Sequence, residues 1–148
     1  MKASELRIGN LIKGIYYKHD DEDEETELET ICKVVTLDVS GLGDYPIYVY
    51  SDEDIEHFSD FEPIPLTEEW LLKFGFYLRD GFSNTFKLNV EKHQYDCSEI
   101  TYSEKEGLFR FSNGQQKGTT LIPHIKYVHQ LQNLYFALIG EELTLKSE

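Results

Sequence analysis

Positive charge is scarce in this chain. It carries 14 Lys and Arg against 28 Asp and Glu, a formal net charge of −14 over 148 residues. A nucleic-acid backbone is held by cations that displace its counterions, so direct nucleic-acid binding is not expected. Cysteine is almost absent. Cys32 and Cys97 are the only two and lie far apart, which suits a reduced compartment with both as small core or surface residues. Long apolar runs are missing as well, and none approaches the ~20 residues needed to cross a bilayer. The opening "MKASELRIGN" has no apolar signal region, so a cytoplasmic location without membrane contact is expected.

The chain has much apolar and aromatic material. Hydrophobic residues make up 40%, enough for a packed core, and there are 10 Tyr and 9 Phe. Such rings fill cores and also stack on planar ligands.

The first half reads as β. "LRIGNLIKGIYY" holds strand-forming residues interrupted at Gly9-Asn10 and Gly14, and "LETICKVVTLDV" is apolar on much of both faces, as a central strand is. "SGLGDYP" is a turn by composition and "IYVY" a short strand. These pieces predict a strongly bent sheet or an SH3-like barrel of short strands. Eight carboxylates crowd residues 20 to 29 and eight more fall between 52 and 69, together 16 of the 28. Their repulsion predicts a mobile loop over residues 20–27.

"PIPLTEEWLLKFGF" marks a boundary. Two prolines keep the approach extended, Thr67 is placed to cap a short helix near 68 to 74, and Gly75 ends it. The alternation of Phe86, Leu88 and Val90, then Ile100 and Tyr102, then Phe109 and Phe111 predicts a β-meander, with turns at "SEKEG" and "SNGQQKG". At Pro123 the apolar period changes from two to 3.6. Ile125, Val128, Leu131, Leu134, Tyr135 and Leu138 predict an amphipathic helix near 123 to 139, closed by Gly140. The expected fold is therefore one α+β domain, with an N-terminal β lobe over about 1–66 and a linking helix, meander and C-terminal helix over about 67–148.

The polar stripe of that last helix carries Lys126, His129, Gln130 and Asn133 where Glu and Lys are usual. It reads as a solvated face, or as neutral hydrogen-bonding groups facing a ligand or a partner chain. Reactive chemistry is not visible. His124 and His129 lie about 140° apart around a helix and share no metal-binding face. His19 before "DDEDEE" lacks the spaced ligands and turn glycine of a calcium loop, and neither Cys has a His placed to suggest an activated nucleophile. No cofactor and no catalytic residue is assigned.

"ELRIGN" near the start, "PIPLTEEWLLKFGF" in the middle and "YVHQLQNLYFALIGEEL" near the end resemble a group of small uncharacterised proteins encoded by bacteriophages and prophages. The blocks span most of the chain in that order. The group supplies no catalytic motif to carry over. The resemblance implies a phage accessory protein acting in the bacterial cytoplasm.

Two non-enzymatic functions are consistent with these observations, and the phage resemblance together with the Arg–aromatic pairs favours the first. One is sequestration of a small anionic, nucleotide-derived host signal. Arg79 and Arg110 would be its cations and Tyr77, Phe82 and Phe109 its stacking rings, while His129 and Asn133 complete the pocket or a homo-oligomer interface. The other is an acidic interaction protein or DNA mimic that occupies a basic host protein.

Overall fold

A computed structural model describes residues 3–19, 25–38, 47–52, 55, 58–90, 98–112 and 119–146. The fold is α+β, with two antiparallel sheets. The chain divides into two compact units, Met1–Pro65 with Tyr127–Asn133 and Leu66–Lys126 with Leu134–Glu148.

The first unit opens with a 3-10 turn at Ala3–Glu5. Four strands follow: β1 (Leu11–His19), β2 (Glu25–Leu37), β3 (Ile47–Tyr50) and β4 (Asp60–Glu62), in the order β3-β2-β1-β4. No barrel closure joins β3 to β4 among the described residues. The β1 and β2 strands are longer than expected and pair without a break from Leu11↔Lys33 to His19↔Glu25. Residues 25–27, expected in a mobile loop, are therefore strand, held by cross-strand partners and by the bond from Tyr17 Oη to Glu27 Oε2 at 2.9 Å. Residues 20–24 of that loop lie outside the described residues.

Alternation sorts the side chains of this sheet. Ile12, Cys32 and Val34 point inward with Leu6, and Leu37, Ile47, Val49, Phe58 and Phe61 pack against them. Cys32 is buried, and Cys97 lies outside the described residues. Gly14 does not break β1. A Cβ built there would lie 2.5 Å from Phe58 Cε1 and 2.8 Å from Cys32 Sγ, so glycine is required by close packing.

In the second unit α1 (Glu68–Lys73) precedes β5 (Tyr77–Leu78), β6 (Thr85–Val90), β7 (Ser98–Ser103), β8 (Leu108–Ser112) and β9 (Thr119–Ile122). The strands lie in sequential order, which is the expected meander. Thr67 precedes α1 in extended conformation, yet its side chain makes no capping bond. Gly75 ends the helix at φ 89, with Phe76 N donating to Leu71 O and Gly75 N to Leu72 O, the paired bonds of a Schellman cap. Phe86, Tyr102, Phe109 and Ile122 form one cross-strand row of the inner face. The turn expected at "SNGQQKG" lies largely outside the described residues.

The C-terminal helix α2 spans Val128–Ile139 and closes at Gly140, φ 78. It starts five residues later than its apolar period suggested. His124 takes a left-handed φ of 73, which interrupts a helix just after Pro123. Tyr127 is bridged to Pro65, and Val128 N donates to Ile64 O at 3.0 Å, so extended pairing uses groups that an earlier start would need. Gln130 Oε1 then accepts from Tyr127 N at 3.3 Å, half of a capping box.

Gly14→Ala should destabilise the protein by about 1–3 kcal/mol, because the added methyl must displace a ring and a sulfur in a filled core. Urea unfolding measures this. Wild-type stability in the variant would show that Phe58 moves aside freely.

Candidate functional site

The face of the first sheet opposite its core is the most distinctive surface among the described residues. Strand alternation puts Glu25, Glu27, Glu29, Ile31 and Lys33 of β2 on this side, all exposed, at spacings of roughly 7 Å. Their β1 partners Tyr17, Ile15 and Lys13 share the face, as do Asp60 and Glu62 of β4, which pair with Ile15 and Lys13. On the other side Tyr50 pairs with Lys33 and Tyr48 with Thr36. Val35 continues the outward alternation, and a bulge after Val34 brings exposed Thr36 opposite Tyr48.

Five large apolar or aromatic residues stand open on this one face: Tyr17 at 46% exposure, Ile31 at 44%, Val35 at 43%, Tyr48 at 46% and Tyr50 at 61%. A carboxylate group flanks them. Lys13 lies at its centre and bonds Glu29 and Glu62, each at 2.8 Å. Those two partners, Glu29 foremost, push the ammonium up to about 12. The hydrogen bond to Glu27 likewise raises the Tyr17 phenol above its ordinary value. The face thus combines apolar area with negative charge whose positions are set by the strand repeat.

The polar stripe of α2 has a different role. Gly9 takes φ 93 in a turn closed by Asn10 N to Arg7 O at 3.1 Å and Arg7 N to Asn10 Oδ1 at 2.7 Å. Fully buried Asn10 donates through Nδ2 to Asn133 Oδ1 at 3.0 Å, and Asn133 Nδ2 donates to Glu5 O. Gln132 accepts from Leu11 N at 2.8 Å and donates to Gly9 O at 3.3 Å. Three amides therefore clamp the start of α2 onto the turn before β1. His129 is 1% exposed and stacks on Tyr127, 5.8 Å between centroids and 7° between planes. Neither of its ring nitrogens has a hydrogen-bond partner among the described residues. Burial lowers its pKa, outweighing the nearby Glu5 carboxylate.

The remaining sequence candidates lie in the second unit. The Arg79 guanidinium sits 5.0 Å from the centroid of the exposed Phe82 ring, so these two come together. Arg110 is not with them and is paired with Glu106. Tyr77 shares a sheet face with Arg110 through the row Tyr77–Lys87–Thr101–Arg110, but three strand spacings, roughly 14 Å, separate them. Phe109 is fully buried between Tyr102 and Phe76, leaving no ring face to a ligand. His129 and Asn133 are used within the first unit.

Sequence reasoning missed Asn10 and Gln132. The signal available was a Gly-Asn turn whose backbone groups needed partners. It also missed Tyr48, Tyr50 and Val35 as a surface, because alternation groups Val35 with Ile31 and Lys33 but does not tell which face of the strand is covered. Among the described residues no group of three or more His, Cys, Asp or Glu is placed to hold a metal ion. Among them also, no helix is long and apolar enough to cross a membrane. Comparison with protein families, curated proteins and solved structures gives no match for this chain.

Two outcomes test the clamp and the buried histidine beside it. Gln132→Leu leaves Leu11 N without its partner and should cost about 1–3 kcal/mol in chemical denaturation. His129 is held neutral by burial, so its contribution is intact above the ordinary histidine pKa near 6.5. As pH falls through that value the unfolded chain takes up the proton first, and stability drops. His129→Leu should flatten that part of the pH–stability curve, and an unchanged slope would assign it to other groups.

Proposed function

We propose that this is a non-catalytic binding protein whose working surface is the outer face of the first sheet, and that its partner is a basic protein segment. The observation carrying this reading is the placement of Tyr17, Ile31, Val35, Tyr48 and Tyr50 on one face with Glu25, Glu27 and Asp60. Exposed aromatic area with fixed carboxylates suits Arg and Lys, whose charged heads meet the acids while the rings take their stems and guanidinium planes. The chain's net charge of −14 adds long-range attraction for such a partner and opposes a second copy of the chain on the same face.

Two other readings have less support. Sequestration of a nucleotide signal through the full set of predicted residues loses Phe109 and His129 to burial, Arg110 to Glu106, and Asn133 to the clamp of α2. A DNA mimic needs an uninterrupted anionic row, and Lys13 places a cation between Glu29 and Glu62 in the middle of this one. The resemblance to phage-encoded proteins adds context to the proposal: a cytoplasmic protein acting on a basic protein of the bacterial host.

Fluorescence anisotropy with an arginine-rich peptide containing aliphatic residues tests the face. Saturable binding that weakens with salt is expected. Tyr48→Ala/Tyr50→Ala should weaken it roughly 5- to 30-fold, the range for losing an aromatic anchor. Glu25→Lys/Glu27→Lys should weaken it more than the charge-matched Glu104→Lys/Glu141→Lys in the second unit. Equal losses from both charge pairs, with no effect of the tyrosines, would reduce the binding to bulk charge attraction and overturn the assignment.

A further inference from the structure

The second unit carries a surface of opposite character, and two turns build it. Arg79 to Phe82 form a type II turn, with Gly81 at φ 79 and Phe82 N donating to Arg79 O at 3.0 Å. Arg79 N also donates to Thr85 O at 2.8 Å, which closes the loop between β5 and β6. The turn between β7 and β8 is closed by Gly107 N to Ser103 O at 2.8 Å, with Gly107 at φ 62. Glu104 N donates to Asn84 O at 3.0 Å and ties the two turns together.

Beside that tie lies a shallow hollow of about 360 Å³, lined by Phe82, Ser83, Asn84, Thr85, Ser103 and Lys105 with Gly81 at its edge. Ser103 and Thr85 are directly opposed in the β6–β7 register, so two hydroxyl-bearing residues share its floor. The lining contains no carboxylate, in a chain with twice as many acids as bases. Glu104 instead lines a separate cleft with Thr67, Leu71, Phe86 and Tyr102, and Glu106 is engaged by Arg110. Lys13, Lys73, Lys87 and Arg110 all hold carboxylates. Lys105 has no ion-pair partner among the described residues, and it faces hydroxyls. Phe82 is 55% exposed, and the Arg79 guanidinium rests over its ring.

We propose that this hollow binds a small phosphate monoester bearing a planar ring, with a mononucleotide as its ligand class. Lys105 supplies the charge for the phosphate, and the Ser83, Thr85 and Ser103 hydroxyls and the Asn84 amide supply neutral donors. Phe82 supplies the stacking surface, and the Arg79 contact limits its rotation before the ligand arrives. The volume lies within the range of small-molecule sites, and the open side allows exchange with solvent. This site does not depend on the docking face of the first sheet.

NMR titration of the full chain with AMP, adenosine, inorganic phosphate and a short single-stranded oligonucleotide tests it. AMP should shift the amides of Ser83, Asn84, Thr85, Ser103 and Lys105 saturably and bind more tightly than either fragment. Lys105→Ala should weaken AMP roughly 10-fold and leave adenosine unchanged. Phe82→Ala should weaken AMP and adenosine and leave phosphate unchanged. No saturable shift with millimolar AMP, or AMP binding indifferent to both substitutions, would overturn the site. Preferential binding of the oligonucleotide would assign the hollow to a nucleic-acid strand and overturn the small-molecule class.

Discussion

The amide clamp of Asn10, Gln132 and Asn133 is the interaction on which the first unit depends. Its sequence begins with a glycine turn and ends in open sheet, and neither feature alone fixes where β1 starts. The clamp does. Gln132 takes Leu11 N and Gly9 O, while Asn10 reaches Asn133, so turn, strand entry and helix start are set in one step. The cost of burying the Asn10 and Gln132 amides is met because their polar atoms are used on backbone and on the half-buried Asn133. A slip of one residue at Leu11 would exchange the two faces of β1. Ile12 would leave the core and Lys13 would enter it. The clamp therefore specifies which residues stand on the candidate docking face.

From that fixed entry the rest of the face follows by alternation. The two long strands stay in register over nine pairs, and Gly14 keeps the inner side thin enough for Phe58 to lie against Cys32. Outward positions then repeat as Glu, Glu, Glu, Ile and Lys along β2. Lys13 limits the repulsion this creates by bonding acids on both neighbouring strands, so it supports the sheet's geometry more than it contributes free charge. The tyrosines of β3 and Val35 flank Lys33 at one end of β2, while Glu25, Glu27 and Glu29 lie toward its other end, so apolar area and acidic charge occupy successive parts of the same face.

Much of the fold was legible in the sequence. The meander, the short helix ended by Gly75 and the strand through Cys32 all follow from local period and turn chemistry. What could not be read there depended on distant partners. The late start of α2 requires pairing of 64–65 with 127–128, far from the helix in sequence. The burial of His129 and the use of Asn133 depend on a turn more than a hundred residues away. Arg110 and Phe109 illustrate the limit on sites. A ring beside an arginine in a strand points to the opposite face, so sequence adjacency separates such a pair. The contact that did form, Arg79 with Phe82, spans a turn and brings its ends together.

Scarce cations also explain why one acidic chain can present two surfaces of opposite preference. At physiological salt a charge is screened within about 8 Å, so a local environment outweighs the chain's total for a bound group. On the first sheet Lys13 is bound by two acids, and the outer face that remains carries acids, aromatic rings and, among the described residues, a single further ammonium, Lys33. In the hollow of the second unit no carboxylate forms part of the lining, Glu106 is held by Arg110 and Glu104 lines another cleft, and the ammonium of Lys105 has no ion-pair partner among the described residues. Net charge governs which molecules approach the protein. Which acids already hold a cation decides what each surface can keep.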